Sequence, residues 1–265
     1  RSPEDGLGGI RTERDSESKG KGIVGFSSTH PDQDHLGGLV ELDDHLGFLN
    51  FYCVANKATK ASPTEDFKRY IALRDSDKAF HISKGCTRSW MNKTTDARGS
   101  SGINILWPDT SNQDYVAALA EAAVGGSPNN MSCIIKYTLE DGPTVLWMGD
   151  LETDFMSKIE DQVDIGKVHI LFAPHHGRAS GKVPESWLGK MNPQLVIIGE
   201  APSANINYYS GYDTITQNSS GDILFDAMAG KVDIYVGDAA YNVNFLVDDG
   251  LDHKDGLYYI GSLYV

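Results

Sequence analysis

Two histidines and two aspartates sit within six residues, His30-Pro31-Asp32-Gln33-Asp34-His35. Imidazole and carboxylate groups set so closely are the donors of a hydrolytic metal site. Two more segments carry the same chemistry: Gly149-Asp150, followed by Glu152, and Pro174-His175-His176-Gly177. A tight turn over 30–35 can aim groups 30 and 32 at one ion and groups 34 and 35 at another. Asp150 can then bridge the two ions, and a histidine of the third segment can close the set. As purely structural groups, His30, Asp34, His35 and Asp150 would bury too many unpaired ionisable side chains.

Each segment follows an apolar run of strand length: 23–28 before the first, 144–148 before the second and 168–172 before the third. Side chains at strand C-termini converge on one sheet edge, the usual place for a site. The spacing also predicts a helix over 65–73 after Ser62-Pro63, and a strand over 103–107 stopped by Pro108. An alanine-rich helix over 114–124 ends at Gly125-Gly126. A strand over 131–139 joins 144–148 through Glu140-Asp141-Gly142-Pro143. A helix over 152–159, a strand over 195–198, a hairpin of 232–236 with 243–247 and a last strand over 257–260 complete the set. Residues 1–22 hold only Leu7 and Ile10 as large apolar side chains, which reads as a linker or loop. The mixture predicts an α/β protein of sheets covered by helices, with one domain over 23–265.

The 265 residues are 40% hydrophobic and 23% charged, enough for a sizeable core. No apolar run approaches the ~20 residues of a membrane helix. The chain opens on Arg1 and not Met. Cys53, Cys86 and Cys133 are odd in number and lack metal-binding spacing, so the expectation is reduced thiols in a cytoplasmic protein, with Cys133 in the core. Lys and Arg number 23 against 37 acids, a net charge of −14, which argues against coating nucleic acid by charge alone. Residues 57–98 reverse the sign, with ten basic residues against five acidic ones. That stretch is either a solvated helix with loops or a surface that meets a polyanion. Trp90, Tyr208 and Tyr209 are candidates for stacking on bases. The polar run 212–222 is a substrate loop or a plain surface loop. His169, in an apolar strand, is expected to be a satisfied core histidine, and His45, His81 and His253 surface residues.

The first segment resembles the His-x-His-x-Asp-His motif of the metallo-β-lactamase-fold hydrolases, with Asp32 in place of the second histidine. Together with Leu36-Gly37-Gly38, Asn129-Asn130-x-Ser132, Trp147-x-Gly149-Asp150 and Pro174-His175-His176-Gly177, it is similar to the ComEC/Rec2-type branch. That branch includes the nuclease domain of DNA-uptake channels and stand-alone relatives in bacterial antiviral defence loci. A choline-phosphoester hydrolase of the same fold has a similar ligand set. The resemblance covers roughly residues 23–247 and implies a four-layer αββα fold.

By that resemblance His30 and Asp32 hold one metal, Asp34 and His35 the other, Asp150 bridges, and His176 is a ligand. His175 contacts the substrate phosphate or protonates the leaving group. Glu152 orients water or substrate, so Asp34, His175 and Glu152 stand nearest the chemistry. Asn130 and Ser132 line the pocket, binding substrate or bracing the ligands. The Gly-His-Thr motif of lactamases is absent: His45 and His81, between His35 and Asp150, have other surroundings. The Asp-Val-Gly-Gln-Gly-Asp opening of the family does not occur in residues 1–29. The expectation is therefore that N-terminal strands are missing from the chain, with an N-terminal fragment or an activating protease acting at 1–21 as partner.

Three carboxylates against two divalent ions leave a centre of about +1, suited to a phosphodiester. The hard Asp32 ligand makes manganese as good a candidate as zinc, and a metal-bridging hydroxide would be the nucleophile. The expected activity is a nuclease acting on DNA. The alternative is a hydrolase of small phosphoesters or cyclic nucleotides. A third reading, a metal-binding module serving as a partner subunit, requires metal without turnover.

Overall fold

The computed structural model describes residues 25–89, 91–96, 99–204 and 209–265. The stretch 1–22, Trp90 and Tyr208 lie outside the described residues. The chain divides into two compact units, Arg1–Lys84 with Pro108–Cys133 and Gly85–Trp107 with Ile134–Val265. Both mix strands and helices, so the protein is α/β. Among the described residues no helix is long and apolar enough to cross a membrane.

In the first unit β1 (Gly25–Ser27), β2 (Asn50–Cys53) and β3 (Ala79–His81) make a parallel sheet in that order. The helix Glu65–Arg74 begins where Thr64 accepts the Phe67 N–H at 3.2 Å, with Glu65 and Asp66 at its positive end. Asp66 also accepts the N–H groups of Gly38 and Val40 at 3.1 and 3.0 Å, capping the helix Leu39–Leu46. Phe67, Tyr70 and Leu73 recur at helical spacing and pack with Leu36, Leu39, Leu46 and Phe51. Each such burial contributes about 1.5–3 kcal/mol. The helix Gln113–Ala123, capped by Asn112, starts one residue earlier than its apolar pattern predicts.

At the end of Glu65–Arg74, the Arg74 guanidinium is buried at 5% exposure and donates to both Asp75 oxygens at 2.9 and 2.7 Å. That hydrogen bond holds the Asp75 carboxyl down at about 2, from an ordinary 3.8. A depressed carboxyl stabilises the fold above its unfolded value and loses that contribution as pH falls through the folded one. Asp75→Asn should therefore flatten the loss of stability between about pH 4 and pH 2. It should also cost about 1–3 kcal/mol at neutral pH by leaving a buried cation short of partners. Thermal melts across that pH range check both.

The second unit holds a six-stranded sheet of β4 (Ile103–Trp107), β5 (Ile134–Thr138), β6 (Thr144–Trp147), β7 (Ile170–Phe172), β8 (Leu195–Ile198) and β9 (Thr214–Thr216) in chain order. It is antiparallel from β4 to β6 and parallel from β6 to β9. A second, antiparallel sheet contains β10 (Ile223–Met228), β11 (Lys231–Val236) and β12 (Tyr258–Tyr264). Val145, Ile170, Leu195, Ile197 and Ile215 pack with Val232, Ile234 and Leu263 of that sheet. Their strand neighbours Leu146, Leu171, Val196 and Ile198 point to the opposite face and are buried as well. A parallel strand buried on both faces reads as a continuous apolar run, which is why β8 matches its predicted bounds.

The expected hairpin of 232–236 with 243–247 does not form. β11 pairs instead with β10, through a turn at Ala229-Gly230 where Gly230 has φ +75°, and with β12. Residues 243–247 contribute only a bridge from Val247 to Ser262. The sequence neighbours Phe245 and Leu246 both pack on the core, which strand alternation forbids. The polar run 212–222 is partly structural: it includes β9 and the short helix Gln217–Ser220, with Ile215 and Ser220 buried.

Candidate metal centre

In the first unit, β1 leads through Ser28 and Thr29 to His30, which is 1% exposed. Ser28 Oγ donates to the His30 carbonyl at 3.3 Å, and Thr29 Oγ1 lies 3.2 Å from His30 Nδ1. The rings of His30 and His35 are 4.2 Å apart, centre to centre. Asp32 caps the one-turn helix Gln33–Leu36: its Oδ1 accepts the Gln33 N–H at 3.0 Å and also the Lys60 ammonium. Burial raises the Asp32 carboxyl, but Lys60, the Gln33 N–H and His30 outweigh it and hold the group below its ordinary 3.8. Asp34 is exposed and His35 half-buried on the same helical turn.

The Asn-x-Ser motif lies in the same unit. Asn129–Met131 form a 3₁₀ turn, and the Cys133 N–H donates to the Thr29 carbonyl at 3.3 Å, beside His30. Ser132 is wholly buried, which suits bracing, and Asn130 is half-buried.

In the second unit the parallel strands β6, β7 and β8 bring their C-terminal ends to one sheet edge. After β6, Gly149 turns with φ +53° and Asp150 follows, 3% exposed. Glu152 occupies the N-cap position of the helix Thr153–Lys158, where its side chain makes no capping bond. After β7, His175 (φ +50°, ψ +44°) and His176 (φ +58°, ψ +16°) are both left-handed. That conformation costs about 1–3 kcal/mol per non-glycine residue, and such strain gathers at functional sites. The His175 N–H donates to the Gly149 carbonyl at 3.0 Å, and Ser180 Oγ lies 2.9 Å from His175 Nδ1. A Cβ on Gly199, just past β8, would stand 3.4 Å from His176 Cα and Nδ1.

His176 Nε2 is 3.6 Å from Asp150 Oδ2. That exceeds a hydrogen bond, but two ligands about 2.1 Å from a tetrahedral ion stand ~3.4 Å apart. Asp34 and His35 in the first unit, and Asp150 and His176 in the second, carry side chains that could serve as ligands to a metal ion. Lys60, Ser180 and Gly199 are the contributors that the sequence reading missed. A glycine closing an apolar strand was the one available signal, since the other two contacts depend on tertiary folding.

One expectation changes. Tyr209 is 1% exposed, and its hydroxyl accepts the Val183 N–H at 3.4 Å, so it cannot stack on a base. Five of the ten cations of residues 57–98 are ion-paired within the first unit. Lys57, Lys60, Lys68, Arg69 and Arg74 each pair with an acid. Arg74 is moreover buried. His169 is the satisfied histidine expected: its Nδ1 accepts the Thr144 N–H at 3.0 Å, while burial and Lys136 keep its pKa low. His45, His81 and His253 are exposed and Cys133 is fully buried, as anticipated.

No family model matches the chain. A histidinol dehydrogenase from Archaeoglobus fulgidus is 29% identical over 119 residues, which are 43% of this chain and 30% of that protein. The chain thus spans less than a third of the length of this curated relative.

Proposed function

We propose that the protein is a metal-dependent phosphodiesterase of the four-layer metallo-β-lactamase fold. In this reading His30, Asp32, Asp34, His35, Asp150 and His176 hold two divalent ions, manganese or zinc. The observation that carries it is the 3.6 Å approach of His176 Nε2 to Asp150 Oδ2 behind two strained histidines at the end of parallel strands. Once bound, the ions supply positive charge for the phosphate and activate the attacking water. Asp150, deeply buried, offers its charge at a fixed position. Ser180 engages Nδ1 of His175, so Nε2 is the atom left to give a proton to the leaving oxygen. Ser132 and Asn130 brace the turn of His30. The partial dehydrogenase relative covers too little of either chain to support an oxidoreductase.

The substrate of this proposal is DNA. A small phosphoester or cyclic nucleotide is the second reading, and the ion pairing of Lys57, Lys68, Arg69 and Arg74 favours it by removing charge that would follow a backbone. Digestion of linear and circular, single- and double-stranded DNA with added manganese or zinc separates the two. Cleavage of DNA is the expected result, and the circle distinguishes endonuclease from exonuclease. Turnover of bis-p-nitrophenyl phosphate with intact DNA would select the small substrate. Metal binding without any turnover would leave a binding module.

A further inference from the structure

Residues 60–66 reach back onto the first motif at several points. Thr64 Oγ1 donates to Gln33 Oε1 at 2.6 Å, Asp66 accepts from Gly38 and Val40, and the Lys60 ammonium meets Asp32 Oδ1. Lys60 also lies over the Phe67 ring, 5.6 Å from its centre, with 27% of its side chain exposed. It is thus a cation held on an aromatic face beside the candidate metal turn, and still reachable from solvent. An ammonium has three N–H donors, and Asp32 Oδ1 takes one.

Five ion-paired cations among the described residues of 57–98 differ in their partners. Lys57 and Arg74 face Asp75, Lys68 faces Glu65, and Arg69 faces Asp43 and Asp44. Of these five, Lys60 alone is paired to a residue of the proposed ligand set. A carboxylate that gives its charge to a divalent ion no longer neutralises its lysine. The uncompensated ammonium is then drawn to an anion arriving at the ion.

We infer that Lys60 binds the substrate phosphate, with its remaining N–H donors on a non-bridging oxygen, and so sets the preference for an anionic substrate. This rests on the two-metal reading above. The test uses the full chain loaded with manganese, comparing wild type, Lys60→Met and Lys60→Arg. Calorimetry with inorganic phosphate should show a Kd about tenfold or more weaker in Lys60→Met, the size of a lost charged hydrogen bond. Lys60→Arg should retain much of the affinity. Hydrolysis of bis-p-nitrophenyl phosphate should show KM rising by more than kcat falls, with manganese content unchanged. Unchanged phosphate affinity and KM would overturn the inference, as would loss of manganese from Lys60→Met, which would make Lys60 a prop for Asp32. A wild-type protein that binds manganese in neither titration nor assay would instead overturn the two-metal reading itself.

Discussion

Asp150→Asn is expected to lower phosphodiester turnover by about 10³-fold or more while leaving the fold intact. The amide has the carboxylate's shape, and the site it fills is closed, with Met148 1% and Leu151 0% exposed alongside. What changes is charge. A neutral group beside His176 Nε2 at 3.6 Å cannot complete an anionic ligand pair for a divalent ion. Two further measurements follow. In metal-free protein the variant should be at least as stable as wild type, because a buried amide costs less desolvation than a buried carboxylate. With manganese at about a hundred times its Kd, wild type should gain about 2.7 kcal/mol, and the variant should gain much less. Melting temperatures with and without manganese, and metal content by mass spectrometry, check both. Wild-type turnover and metal content in Asp150→Asn would remove the two-metal reading.

The residues that lead to that prediction are legible because hydrophobic runs and polar donors alternate abruptly in the chain. β4 and β8 have their predicted bounds, one stopped by Pro108 and the other closed by Gly199. Thr144–Trp147 runs through Met148 into Gly149-Asp150. Short strands are another matter. β2 and β3 have four and three residues and are held by parallel pairing across long sequence gaps. β10 carries Asp226 and Ala227 mid-strand, residues that disfavour a strand on their own and are tolerated because β11 pairs with them. The pairing of charges is likewise not local. The excess of cations in residues 57–98 is real in sequence, but Asp43 and Asp44, which neutralise Arg69, lie 26 and 25 residues away. The left-handed backbone of His175 and His176 has only a weak sequence signature: histidine adopts that region more often than most residues, but neither position is the glycine that would mark it.

That strain makes Gly181→Ala the sharper probe of the histidine loop. A Cβ at 181 would stand 2.5 Å from the Pro174 carbonyl oxygen and 2.5 Å from His175 Cβ, so backbone has to move. The room to move is small: the Gly181 N–H is tied to the Arg178 carbonyl at 2.9 Å, and the Lys182 carbonyl accepts from Thr153 Oγ1 at 2.7 Å. Strained residues persist only where their surroundings over-determine them, and here the methyl group pushes directly on His175. The expected cost is about 1–3 kcal/mol of stability, as for other overpacked sites. Turnover should fall by about 10²-fold, because displacing a catalytic group by ~1 Å can cost that much. Gly189→Ala is the matched control. It lies in the helix Glu185–Met191, where a Cβ meets nothing within 4 Å. It should raise stability by about 0.5–1 kcal/mol and leave turnover unchanged. Chemical denaturation and hydrolysis of bis-p-nitrophenyl phosphate read the pair side by side. If Gly181→Ala loses stability yet keeps wild-type turnover, the strained loop serves the fold alone and His175 has no part in the chemistry.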